Sequence, residues 1–186
     1  MDTEEWPVLD SAIEYNNPYF SVERLNVRLP SGRPNDYYRM RAERQGAIAV
    51  GTYDSQLVLV EVYRPRLGRS FVEFPGGGID EGEDPKTAAI REFTEETGYE
   101  VNGAEYLGSF YHSPWNHTEQ HVVWVGEAEP PEGEWEESES EVRSVMEVAP
   151  SEVFEWILTA PLPSWSVSPL VLAWREGLID FGHPER

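Results

Sequence analysis

The sequence predicts an α/β fold, a mixed β-sheet flanked by helices, with a small β-rich arm at the N-terminal end. Three features point there. Two apolar, β-branched runs, Ala47 to Tyr53 and Gln56 to Tyr63, are separated only by Asp54 and Ser55, a spacing that suits a tight hairpin. The stretch 84–98 has helix signals from end to end. The remaining strand and helix runs alternate without a regular β-α-β rhythm, which argues for a mixed rather than an all-parallel sheet.

Taken in order, residues 1–44 read as the arm. Within it, LNVRLPSGRPNDYYRMR looks like two extended runs joined through Pro-Ser-Gly and Pro-Asn-Asp turn signals. The main domain runs from 45 to 186. After the hairpin, RPRLGRS is a polar loop and Phe71 to Phe74 a short strand, stopped by Pro75-Gly76-Gly77-Gly78. Asp84 is a good N-cap, Pro85 suits the first helical position, and Gly98 sits where a left-handed C-cap belongs. Tyr106 to Tyr111 and Val122 to Gly126 are further strands. EAEPPEGEWEESESE is a Pro-, Glu- and Ser-rich loop. Val142 to Val148 resumes a strand, and Pro150 to Leu158 and Val167 to Glu176 close the chain as helices. No internal repeat has a fixed period.

Composition narrows the function. At 186 residues the chain is long enough to bury a core, and 12% aromatics argue against wholesale disorder. The absence of cysteine excludes disulfides, thiolate metal sites and a thiol nucleophile. The opening MDTEEWPVLD lacks the basic and apolar regions of a secretory signal, and no apolar stretch approaches the roughly 18 residues of a membrane span. A cytoplasmic location with no membrane partner is expected. The net charge is -21, from 35 acids against 14 bases, and Lys86 is the sole lysine. Such a surface repels nucleic acid, so none is expected as a partner. Either an acidic binding surface or adaptation to molar salt, where screening shortens to about 3 Å, could account for this charge. The acids are spread along the whole chain, which favours a halophilic origin.

The chemistry concentrates on one helix. Glu92, Glu95 and Glu96 fall within an arc of about 100° on one face, while Ala89, Ile90 and Phe93 face elsewhere and can pack on the sheet. Three carboxylates this close repel one another. Hard divalent cations take oxygen ligands and offset such repulsion; Arg91 and Lys86 could offset part of it instead. On an acidic protein a solvated acidic face is the plain alternative. The flanking residues weigh against it: Gly76, Gly77 and Gly78, whose bare backbone can approach a ligand or metal closely, precede a second acidic cluster of Asp80, Glu81, Glu83 and Asp84.

The segment GGIDEGEDPKTAAIREFTEETGY, Gly77 to Tyr99, resembles the Nudix box. That pattern is a glycine, five residues, a glutamate, seven residues, Arg-Glu, an apolar residue, any residue, Glu-Glu, any residue, glycine and an apolar residue. Gly77, Glu83, Arg91, Glu92, Glu95, Glu96 and Gly98 occupy its fixed positions; Phe93 and Tyr99 fill apolar slots that usually hold aliphatics. The resemblance implies an α/β/α sandwich and hydrolysis of a nucleoside diphosphate linked to another moiety. It implies Mg²⁺ or Mn²⁺ held by Glu92, Glu96 and the Gly76 carbonyl, with Glu95 a further metal ligand or a catalytic base acting through water. Arg91 would hold Glu95 and the loop by ion pairs, and Glu83 would support the loop.

Outside the box the chain resembles the ADP-ribose pyrophosphatase branch of that family. Pro114 lies fifteen residues beyond Tyr99, as in that branch. VYRPRLGRSFVEFPGG, Val62 to Gly77, resembles its strand-loop-strand, and the N-terminal section resembles its β-rich arm. Trp115-Asn116-His117-Thr118 departs from its usual small polar continuation. Substrate contacts are expected from Arg64 and Arg66, since guanidinium matches phosphate oxygens, and from Glu73 and Pro114. The branch draws a late glutamate from the acidic loop, as base or extra metal ligand; Glu137, Glu139 and Glu141 compete, with Glu139 and Glu141 favoured. His112, His117 and His121 fit no strong metal motif and read as strand or loop residues. The resemblance points to ADP-ribose, cut to AMP and ribose 5-phosphate, ahead of another nucleotide sugar, a dinucleoside polyphosphate or a non-catalytic binding module. It also suggests a homodimer formed through the arm.

Overall fold

A computed structural model describes residues 5–133, 141–159 and 161–182. Its chain divides into two compact units.

The first unit contains the residues up to Gln45 together with Tyr111–Glu119. Its sheet is antiparallel, in the order β1 (Val8–Asn16), β2 (Phe20–Arg28), β3 (Pro34–Ala42). The two extended runs expected here are β2 and β3; β1 was not anticipated from the pattern. All nine residues of β1 are exposed, so it lacks the in-out alternation that marks a half-buried strand. The segment 111–119 joins this unit through backbone bonds to β3: the Met40 amide donates to the Trp115 carbonyl at 2.7 Å, and the His117 amide to the Met40 carbonyl at 2.8 Å. On one face Arg24 meets Asp10, Glu14 and Asp36 at 2.9, 3.0 and 3.3 Å. One cation serving three acids leaves net repulsion for salt to screen. The melting temperature is therefore expected to rise steadily between dilute buffer and molar KCl; a flat or falling curve would point to a localised acidic binding surface instead.

The second unit is built on a mixed sheet. Its path is β10 (Val142–Val148), β5 (Gln56–Arg64), β4 (Gly46–Tyr53), β9 (Glu119–Glu127), β8 (Glu105–Tyr111), with β6 (Arg69–Glu73) paired to β5 and β7 (Gly76–Gly78) to β4. β4 and β9 are parallel, and β10, β6 and β7 pair antiparallel with their neighbours. The predicted hairpin joins β4 to β5. Asp54 and Ser55 take φ of 48° and 65°, the left-handed values a two-residue turn demands, and Glu127 pins the turn by accepting the Asp54 amide at 2.7 Å.

Alternation on β4 separates two cores. Ile48 and Val50 point to one face, with Leu57, Leu59, Val122, Val153 and Leu170. This face is covered by α2 (Pro150–Thr159) and α3 (Ser164–Arg175). Ala47 and Ala49 point to the other, with Val58, Val123, Val125, Ala88, Ala89 and Phe93, the last three from α1 (Pro85–Thr97). The result is an α/β/α sandwich. Phe93 is fully buried, and a Cβ on Gly51 would come within 2.7 Å of its ring; the glycine makes room for the aromatic in this apolar slot.

The sequence pattern differs from the structure at the glycines. Gly76 to Gly78 do not simply end a strand; they form β7, opposite Ile48, Ala47 and Gly46. A Cβ on Gly76 would stand 2.5 Å from the Ala47 carbonyl oxygen, so only a residue without a side chain permits this pairing.

Candidate active site

The run from β6 through β7 to α1 brings backbone and carboxylates together. Phe74 and Pro75 lead from β6 into β7, the loop 79–84 follows, and Asp84 starts the helix. Its side chain accepts the Lys86 amide at 3.0 Å and the Thr87 amide at 3.4 Å, satisfying two of the donors a helix start leaves open. Gly98 closes the helix at φ 74°, donating its amide to the Thr94 carbonyl at 2.8 Å.

Arg91 organises the helix face. Its Nε and Nη2 donate to the two oxygens of Glu83 at 3.0 and 2.9 Å, and Nη2 also donates to the Gly78 carbonyl at 2.9 Å. Its Nη1 donates to Glu92 at 2.7 Å and to Glu95 at 3.3 Å. Glu83 accepts the Asp80 amide at 3.0 Å as well, so one guanidinium ties the loop to the helix. Glu96 turns the other way and accepts the Gly76 amide at 2.9 Å. Arg91 thus joins Glu83, Glu92, Glu95 and the Gly78 carbonyl in one hydrogen-bonded group, Glu92 and Glu95 sharing its Nη1, while Glu96 and the Gly76 amide form a pair of their own; Glu95 is mostly exposed.

The electrostatics follow from this wiring. The bond from Arg91 is the main reason Glu83 is held below the usual carboxylate range, and Glu83 in turn raises the Arg91 guanidinium. Glu92 goes the other way: burial pushes its pKa up, against the opposing pull of Arg91. Its side chain is 14% exposed. It lies so close to the backbone that a Cβ on Gly77 would sit 2.4 Å from its Oε2. A largely buried carboxylate against backbone without a side chain, with Arg91 on its other side, offers the oxygen ligands that suit a hard divalent cation. Among the described residues no three of His, Cys, Asp and Glu are already grouped as a metal cage; Arg91 supplies the positive charge instead. His112, His117 and His121 likewise form no such group.

A second group lies further along the same strands. Arg64, at the end of β5, points its Nε and Nη2 at the two oxygens of Glu73, at 3.2 and 2.5 Å. Its Nη1 reaches Glu141 at 3.3 Å, and its guanidinium carbon lies 5.8 Å from the centre of the Trp165 ring. Burial alone would lower the Arg64 pKa, but the bond and charge of Glu73 outweigh it, with Glu141 and Glu96 adding to the rise. Glu73 is 2% exposed. Its pairing with Arg64 and the Trp165 contact were not read from the sequence. The pairing had no local signal: Glu73 lies opposite Val60 and Arg64 is four residues further along β5, so the two share a sheet face only once the β5–β6 register is set.

Arg66 is exposed in the turn 65–68, and Pro114 lies in the segment that joins the arm unit. Glu137 and Glu139 fall outside the described residues.

The family model for the NUDIX domain matches residues 42–171. The chain is 42% identical over 89 residues to a methanol dehydrogenase activator of Bacillus methanolicus, covering 48% of each protein. It is 36% identical over 126 residues to an ADP-ribose pyrophosphatase of Bacillus subtilis, covering 66% of this chain and 67% of that protein. The chain therefore spans about half the length of the first relative and two thirds of the second. A crystal structure of an ADP compounds hydrolase superposes with a TM-score of 0.79 at 23% identity, covering 94% of this chain and 96% of that one.

Proposed function

The chain belongs to the Nudix family, and from that premise we propose that it is a metal-dependent hydrolase of a nucleoside diphosphate linked to another moiety, with ADP-ribose as substrate and AMP and ribose 5-phosphate as products. The single observation behind the reading is the Arg91-centred group, in which one guanidinium ties Glu83 and Glu92 to the Gly78 carbonyl of β7. The name of the Bacillus subtilis relative supports the choice of ADP-ribose.

In this reading Glu92, Glu96 and the Gly76 carbonyl would hold Mg²⁺ or Mn²⁺, with Glu95 as a further ligand or a base acting through water. A cation held there neutralises charge on the phosphates and acidifies a water. Arg91 holds the loop and Glu92 in place and keeps Glu95 in reach. Hydrolysis adds the water oxygen to one phosphorus and breaks its bond to the bridging oxygen; a carboxylate, Glu95, Glu139 or Glu141, takes the proton. Arg64, Arg66 and Pro114 remain candidate substrate contacts.

The test is a kcat/KM comparison in molar KCl with Mg²⁺ and with Mn²⁺. ADP-ribose is expected to exceed GDP-mannose, diadenosine polyphosphates and NADH, because groups built to bond a terminal ribose are left unpaired by a substrate lacking it. A preference for any of the three rivals would overturn the substrate and leave the carboxylate chemistry standing.

The active form in this reading is a cytoplasmic, salt-adapted homodimer without membrane or nucleic-acid partners. Among the described residues no helix is long and apolar enough to cross a membrane. The arm exposes Trp6, Val8, Leu9, Ile13, Tyr15 and Met40, and a three-stranded sheet of this size buries too little to stand alone. Sedimentation at high salt is expected to give a dimer; a stable, active monomer at micromolar concentration would remove this assembly.

A further inference from the structure

Arg64 is held on three sides. Its Nε–Nη2 edge is bonded by both oxygens of Glu73, one face of its guanidinium lies near the Trp165 ring, and only the Nη1 side meets an exposed group, Glu141. The partners differ in burial. The Glu73 side chain is 1% exposed, whereas that of Glu141 is 63% exposed. A buried carboxylate spent on one guanidinium is a fixed mount, since leaving it unpaired is costly. An exposed one at 3.3 Å contributes little and exchanges readily with another anion. The mount is also well placed. Glu73 lies three residues before Gly76, whose amide is bonded by Glu96, and Arg64 feels the Glu96 charge.

We propose that Glu73 is a positioning residue: it touches no substrate, but fixes Arg64 so that the Nη1 side is presented to a phosphate of a nucleoside diphosphate, which replaces Glu141 there. The proposal rests on the reading that this site takes such a compound. It differs from simple electrostatics in sign. Removing a negative charge near an anion site strengthens anion binding, whereas loosening the mount weakens it.

ADP is the probe, titrated calorimetrically with Mg²⁺ at fixed molar KCl into the wild type, Glu73→Gln, and the double variant Arg64→Met with Glu73→Leu, with melting temperatures alongside. Glu73→Gln is expected to bind ADP about tenfold more weakly, and in turnover to raise KM by about the same factor with kcat within about threefold. The double variant removes both charges, so it is expected to melt near the wild-type temperature and still bind about tenfold more weakly. Glu73→Gln binding ADP as well as or better than the wild type would overturn the proposal. So would a double variant that binds like the wild type, or a wild type that does not bind ADP. If Glu73→Gln does not fold, Glu73→Asp, which keeps the charge and shortens the mount, takes its place: it is expected to bind ADP about tenfold more weakly, and wild-type affinity there would overturn the proposal. Intact ADP binding without hydrolysis of any nucleoside diphosphate compound would sink the proposed activity and leave the positioning role in place.

Discussion

Glu92→Gln and Glu96→Gln are each expected to lower kcat at least about 10²-fold under saturating Mg²⁺, the scale of losing one catalytic group. Each change removes a charge and keeps the shape. The Gln carbonyl still accepts the Arg91 bond at position 92 and the Gly76 amide at position 96, so the hydrogen-bonded frame survives. Stability supplies the control. A carboxyl whose folded pKa is raised by burial gives up stability as pH climbs from its ordinary value through the raised one. Above its raised pKa the ionised Glu92 is therefore a cost in the metal-free protein, and Gln removes it. The metal-free melting temperature of Glu92→Gln at pH 7 is expected to be unchanged or a few degrees higher, roughly 2–4 °C for each 1 kcal/mol. Near-normal turnover in both variants would refute the metal-ligand roles, and a large fall in melting temperature would show that Glu92 serves the fold instead.

Arg64→Ala is expected to fail in a different way. It strands the buried Glu73 without its partner. Breaking a buried pair costs about 3–5 kcal/mol, and with the Arg64 side chain 35% exposed the lower end, about 3 kcal/mol, applies. For a chain of this size that is a drop of roughly 6–12 °C in melting temperature. In the fraction that remains folded, KM is expected to rise more than kcat falls, as for a ground-state contact. A melting temperature within about 2 °C of the wild type would mean that the pair is not a structural unit. A fall in kcat at constant KM would move Arg64 from binding to the chemical step.

The helix that carries the site was readable because its determinants are local. Asp84, Pro85 and Gly98 mark its ends within a single stretch of chain, and the spacing of Arg91, Glu92, Glu95 and Glu96 follows the helix repeat. The hairpin at Asp54 and Ser55 is local in the same sense. Glu73 is the contrary case. Alone it reads as a strand residue or a group facing a substrate, and only the pairing of β5 with β6 shows it sealed against Arg64.

By itself the sequence determined the α/β class, the helix and its caps, and which carboxylates share its face, because these depend on residues a few positions apart. Tertiary structure decided that Gly76 to Gly78 form a strand against β4, that Glu96 bonds the Gly76 amide while Arg91 gathers Glu83, Glu92 and Glu95, and that 111–119 joins the arm. Each of these rests on partners distant in sequence. Their hydrogen bonds and burial exist only once the sheet has brought the strands together, and no local spacing specifies which partner a charged side chain will meet there.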